Sequence, residues 1–142
     1  MQKQNSIWVA IVVLSSVIGF AQDGVTPTKF TIDHCVNEFS VAGVESTKVG
    51  YQYWFVDRKF LDGRTLKLSV VRPKEATHPP HTHAEDEFFF VLEGKAEFTL
   101  AESTRIAGPY TSFYCPPNIK HGIRNAGDTE LKYLVIKKYN TQ

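Results

Sequence analysis

Apolar and polar positions along this chain alternate with a period of two through most of its length, and clusters of turn-forming residues cut that pattern into short pieces. Tyr51 to Val56 is a run of aromatic and β-branched residues, and Asp62-Gly63 follows as a hairpin-turn dipeptide. Leu66, Leu68 and Val70 then alternate with Lys67, Ser69 and Val71. Pro73, Pro79 and Pro80 make the next stretch a loop. Phe88 to Leu92 and Lys95 to Leu100 predict a hairpin around Gly94, with Ala96, Phe98 and Leu100 on one face. Gly108-Pro109 marks a turn before a short strand at Thr111 to Tyr114, and Pro116-Pro117-Asn118 turns the chain into a strand from His121. Beyond a turn at Asn125 to Asp128, Leu131 to Ile136 is apolar on both parities and is expected to lie centrally in a sheet. Upstream, Phe30, Ile32 and Cys35 predict a short edge strand, and Gly43 and Gly50 predict loops. No stretch of ten residues carries a capped helical period. The pattern predicts one all-β domain, a sandwich or barrel.

The first twenty-odd residues stand outside that pattern. Lys3 precedes an apolar run from Ile7 to Phe20, and Gly19-Phe20-Ala21 offers small residues at the spacing of a cleavage site. This is the layout of a signal peptide over residues 1–21, and the run is shorter than the ~18 residues of a spanning helix. An uncleaved anchor is the other reading. The expectation is an exported protein, secreted or periplasmic, with residues 22–142 as the mature domain and no membrane contact after cleavage.

Composition narrows the partners. The formal net charge of the whole chain is +1, and Lys3 leaves with residues 1–21, so the mature domain is balanced. That balance lacks the broad basic field that nucleic acid or an anionic membrane demands. Ten Phe and six Tyr supply enough apolar bulk for a core without covalent staples. Cys35 and Cys115 are the two cysteines. They form either one disulfide, plausible in an oxidising compartment, or two free thiols, and neither has the C-x-x-C spacing of a redox motif.

Candidate chemistry concentrates between His78 and Gly94. His81, His83 and Glu87 share parity with Phe89 and Val91, so a regular strand points all five to one face. Two imidazoles and a carboxylate are metal ligands. Asp86 has the opposite parity, and Glu85 lies at the irregular start of the strand, so both read as solvated or supporting groups. His78 reads as a loop residue near the mouth of a pocket, and His34 as a surface residue.

His81-x-His83-x-x-x-Glu87-x6-Gly94 resembles the first motif of the cupins, and Pro116, His121 and Asn125 resemble the second, P-x-G-x-x-H-x-x-x-N. Asn118 stands where the family has Gly, and Asn tolerates positive φ better than other side chains. The resemblance covers about residues 64–139. It implies a single-domain jelly-roll β-barrel with one metal inside, held by His81, His83, Glu87 and His121. Asn125 reads as fixing a turn or supporting the ligands rather than touching substrate. Imidazole and carboxylate donors leave the divalent ion open among Mn, Fe, Ni, Zn and Cu.

Two function classes follow from that resemblance. One is an exported metal-dependent enzyme acting on a small oxygen-rich molecule such as a sugar, uronate, carboxylate or phenolic, of dioxygenase, isomerase, lyase or decarboxylase type. Glu87 is then a candidate base, and Tyr114 and Tyr53 are candidates to orient the substrate. The other is a non-catalytic module that captures a small ligand among Tyr51, Tyr53, Phe55, Phe89 and Phe113, with a structural metal. The same aromatics also read simply as core. Phe88, Phe90 and Leu92 face away from the ligands and need cover, either from the N-terminal segment or from a second copy of the chain in a homodimer.

Overall fold

Strands account for most of the residues that the computed structural model describes, 30–140. In chain order they are β1 (Glu45–Thr47), β2 (Gly50–Leu61), β3 (Arg64–Val71), β4 (Glu87–Glu93), β5 (Ala96–Leu100), β6 (Ser103–Ala107), β7 (Ser112–Cys115), β8 (His121–Asn125) and β9 (Leu131–Lys138). One sheet has the order β1-β2-β3-β9-β4-β7 and the other β6-β5-β8, with every pairing antiparallel. Together they form an all-β jelly-roll barrel. The expected signal peptide, residues 1–21, lies outside the described residues.

Local signals explain the β2–β3 hairpin. Leu61 pairs with Arg64 across Asp62-Gly63, whose φ values of 48° and 71° are the two positive angles of a type I′ turn. β9 is central, flanked by β3 and β4, as its apolar character on both parities predicts.

Gly94 overturns the second expected hairpin. β4 pairs with β7 and β9, and β5 pairs with β6 and β8, so β4 and β5 belong to opposite sheets. The chain crosses between them at Gly94, where φ is +87° and an added Cβ would stand 2.5 Å from the Glu130 carbonyl oxygen. Only glycine fits that approach. The actual partner of β5 is β6, which the sequence pattern does not announce: four of its five residues are exposed, and its hairpin turns through Ala101 at φ 50° without a Gly or Asn.

The N-terminal segment differs too. Ile32–Cys35 is a single helical turn with no buried residue, in place of the expected edge strand. Thr31 Oγ1 lies 2.9 Å from His34 Nδ1 and Asp33 sits in the first turn, where the helix dipole favours a carboxylate. Three apolar positions were too few to separate the two periods. Glu45–Thr47 likewise forms a short strand where a loop was expected.

Register fixes what each face carries. On the inner face of the large sheet one row reads Thr65, Lys137, Glu87, Cys115, and the next reads Trp54, Lys67, Val135, Phe89, Phe113. Phe89, Val91, Phe98, Ile123, Leu131, Tyr133 and Val135 form the core between the sheets. The outer face carries Val56, Leu66, Ile136, Phe88 and Tyr114 in one row. Cys115 is buried and Cys35 exposed, and both are free thiols.

Candidate metal centre

The four expected donors converge, by a route different from the one parity suggests. Glu87 opens β4 and is buried. His81 is not on that strand. It makes a reciprocal backbone bridge with His121, His81 N to His121 O and His121 N to His81 O, each 2.9 Å. His83 lies in the loop between bridge and strand, where its carbonyl accepts from Asn118 N at 2.8 Å. Asn118 has φ 59°, so the second-motif turn survives the replacement of Gly by Asn and is tied to the first motif. His121 opens β8 and is fully buried.

Hydrogen bonds settle which nitrogen of each ring faces inward. Nδ1 of His121 donates to the Ile119 carbonyl at 2.7 Å, Nδ1 of His83 to the Glu85 carbonyl at 2.7 Å, and Nδ1 of His81 to the Pro79 carbonyl at 3.3 Å. A carbonyl can only accept, so each Nδ1 carries the hydrogen and each neutral ring presents Nε2 as a lone pair. His121 Nε2 stands 3.1 Å from His83 Nε2 and 3.1 Å from Glu87 Oε1, and His83 Nε2 is 3.5 Å from Glu87 Oε1. One donor atom from each of the four residues falls within 4.8 Å of the others. Lone pairs and a carboxylate gathered this closely repel one another unless a cation is shared among them. The donor set, with each ring oriented by a backbone acceptor, fits a divalent ion.

A cavity of about 110 Å³ lies on one side of these donors, with His81, His83 and Glu87 in its wall. Phe89, Ile123, Tyr133 and Val135 give it an apolar lining, and Lys67 and Lys137 add two ammonium groups. Tyr133 is buried, and its phenol is held by the hydroxyls of Ser69 and Thr77; burial pushes its pKa up. Burial pushes the Lys67 pKa down, against the pull of Glu87 and Glu45. Burial also lowers His78 at the cavity wall, and the neighbouring His81 adds to that shift. Glu85 is held below the usual carboxylate range, first by its own backbone N–H and then by Lys137. Burial beside Glu87 raises the Cys115 thiol to about 12.

The remaining sequence candidates fall elsewhere. Tyr114 packs on Phe88 on the outer face, with ring centroids 4.9 Å apart. Tyr53 shares the outer face with Leu68 and Phe90, and its hydroxyl donates to the Glu38 carbonyl at 2.8 Å. Neither lines the cavity. Of the five expected aromatics, Phe89 alone does so; Phe55 packs on Tyr53 and Phe113 stacks on Phe98. Asn125 does fix a turn: its Nδ2 donates to the carbonyls of Val71 and Thr129, and its Oδ1 accepts from Gly127 N. Sequence reasoning missed Lys67 and Lys137. Their signal was parity, since Lys67 alternates in step with Ser69 and Val71, and Lys137 with Tyr133 and Val135.

A jelly-roll barrel with a His3Glu donor set opening on an internal cavity defines the class. Residues 67–137 match the cupin domain family, and the chain belongs to it. Among curated proteins it is similar to H2HPP isomerase of Bacillus subtilis, 34% identical over 77 residues that cover 54% of this chain and 33% of that protein. It is also similar to mannose-1-phosphate guanylyltransferase of Salmonella typhimurium, 32% identical over 72 residues covering 51% and 15%. The match thus spans a third or less of these relatives. Among solved structures, a predicted oxalate decarboxylase from Thermotoga maritima shares the fold with a TM-score of 0.65 and 18% identity, covering 72% of this chain and 97% of that one. The polyketide cyclase RemF of Streptomyces resistomycificus does so at 0.61 and 21%, covering 72% and 79%.

Proposed function

We propose that this cupin holds one divalent metal ion through His81, His83, Glu87 and His121 and acts as a metal-dependent enzyme on a small oxygen-rich molecule. The observation that carries this reading is the convergence of three Nε2 lone pairs and one carboxylate at the wall of a cavity. A donor set sealed on all sides would instead suit a structural ion. A divalent ion held there supplies Lewis acidity toward a carbonyl, enediol, carboxylate or phenolate oxygen. The chain's own groups do the rest. The carbonyls of Ile119, Glu85 and Pro79 keep the imidazoles oriented, Phe89, Val135 and Ile123 exclude water from the inner end, and exposed His81 with His78 marks the mouth.

Elemental analysis of freshly purified protein, beside a His121→Ala variant, tests the metal; Mn, Fe, Ni, Zn and Cu are the ions to assay. Turnover of sugars, uronates, carboxylates and phenolics by the loaded protein tests the enzyme, and the names of the relatives put isomerisation and decarboxylation first. Full metal loading without turnover of any of them favours the second reading, a small-ligand-binding module. The positions of Tyr53 and Tyr114 remove two candidate substrate-orienting groups, and with Phe89 alone of its five aromatics at the cavity the binding module loses most of its expected lining as well.

Export belongs to the same proposal and rests on Lys3, the Ile7–Phe20 run and the small residues before Gln22. N-terminal sequencing of protein recovered from outside the cytoplasm tests it, and an intact Met1 there counts against cleavage. A homodimer is the remaining element. The N-terminal segment covers Tyr53 through Phe39, yet Phe88, Tyr114 and Ile136 remain 43%, 44% and 46% exposed. Arg64, Lys138 and Asp86 border this strip, so a second copy meets both signs of charge there. A monomer by light scattering at tens of micromolar would remove the dimer.

A further inference from the structure

We propose that the cavity selects a short carboxylate bearing a second oxygen group, and that Lys67 and Lys137 receive its carboxylate beside the metal donors. This deepens the enzyme reading above and rests on the metal site. Lysine is among the residues least often buried without a partner, and here two of them reach the same cavity from adjacent strands. Lys137 is 9% exposed. Its nearest acid is Glu85 Oε2 at 3.8 Å, the long limit of an ion pair, and its ammonium otherwise rests on the Tyr139 ring, 4.8 Å from the centroid. Lys67 makes no ion pair among the described residues, and its Nζ lies 5.0 Å from the centroid of the Trp54 ring. Aromatic faces stabilise an ammonium without neutralising it. Neither ammonium therefore has a close carboxylate partner to compete with a ligand.

The charges facing the cavity favour an anion. Lys67, Lys137 and Glu87 line it, and Glu85, outside the wall but 3.8 Å from Lys137, evens the formal count; a divalent ion among the donors tips the total to a surplus of positive charge. A neutral sugar gains nothing from that surplus, and a cation is repelled by it. Register limits the size. Lys137 pairs directly with Glu87 across β9 and β4, so ammonium and metal ligand are next neighbours on one face. A molecule touching both needs its two oxygen groups only a few bonds apart, as in a 2-oxo acid or a short dicarboxylate. The apolar floor of Phe89 and Val135 suits a carbon skeleton between them. Inorganic phosphate is less suited, because it has no carbon skeleton to set against that floor.

Calorimetric titration of the metal-loaded chain with malonate, pyruvate, malonamide and inorganic phosphate tests this. Malonate and pyruvate are expected to bind, malonamide to bind at least tenfold more weakly, and Lys67→Met and Lys137→Met each to weaken malonate at least tenfold with metal content unchanged. Unaltered malonate affinity in Lys67→Met overturns the proposal, as does tighter binding of phosphate or malonamide than of malonate. Lys67→Met carries the test if Lys137→Met does not fold. Metal content, measured separately, distinguishes the two failures. Full loading without lysine dependence refutes the carboxylate receptor alone. No loading refutes the metal site, and loss of lysine-dependent malonate binding to the metal-free chain would then refute the receptor as well.

Discussion

The two faces of β4 and β9 hold to opposite rules. Facing inward, Glu87, Phe89 and Val91 stand with Lys137, Val135 and Tyr133, all buried, so that acid, ammonium and phenol are packed among hydrocarbon. Facing outward, Phe88 and Ile136 pair with Leu66 and Tyr114 in a strip that is apolar yet partly exposed. An antiparallel sheet ordinarily shows apolar residues to the core and polar ones to water. Here the interior carries buried polar groups, and the exterior carries apolar groups that stay partly exposed. Neither face can be assigned from hydropathy alone.

Truncation on each side breaks the comparison most sharply. Phe89→Ala leaves a hole between the sheets and is expected to cost about 3–5 kcal/mol in urea unfolding. Metal tests the inner face next. Saturation at a hundredfold excess over Kd should raise wild-type stability by about 2.7 kcal/mol, and a chelator should reverse it, whereas His121→Ala should show no rise; an equal rise in that variant would place the ion elsewhere. On the outer face, Phe88→Ala is expected to cost only about 1 kcal/mol at concentrations where the chain is monomeric, because the ring keeps 43% of its exposure in the fold. A loss as large as that for Phe89 would mean that the strip is already covered. The smallest effect is chemical. At pH 8 iodoacetamide should label Cys35 and leave Cys115, whose thiol, raised to about 12, is ionised in about one molecule in ten thousand. Two labels per native chain, by mass spectrometry, would show that the inner face opens.

Legibility followed the range of the interaction. The Asp62-Gly63 turn and the positive φ of Asn118 are local backbone preferences and stand in the structure as read. The donor set was legible through motif spacing, although the parity argument offered for it describes only Glu87 on a strand; His81 is placed by a bridge and His83 by a loop. Strand partners were not legible. Nothing in Phe88–Leu92 or Lys95–Leu100 says that the chain changes sheets at Gly94, because their partners β9, β7, β6 and β8 come later in the sequence, as does Glu130, whose carbonyl the glycine approaches. The lysines escaped for a related reason. Leu66, Leu68 and Val70 look like the inward set of β3, and the inward set is Thr65, Lys67, Ser69 and Val71, chosen by register with β9.

The reciprocal bridge between His81 and His121 has a consequence for the order of events in folding. His121 belongs to the small sheet and Glu87 to the large one, so no hairpin or isolated fragment assembles the donors. They meet only when the sheets have closed and the bridge has formed, a long-range event that comes late in a β-barrel. An ion captured by the finished site acts on the native state and scarcely on the barrier leading to it. Its presence should therefore slow the escape from the native state while leaving the rate of arrival nearly unchanged.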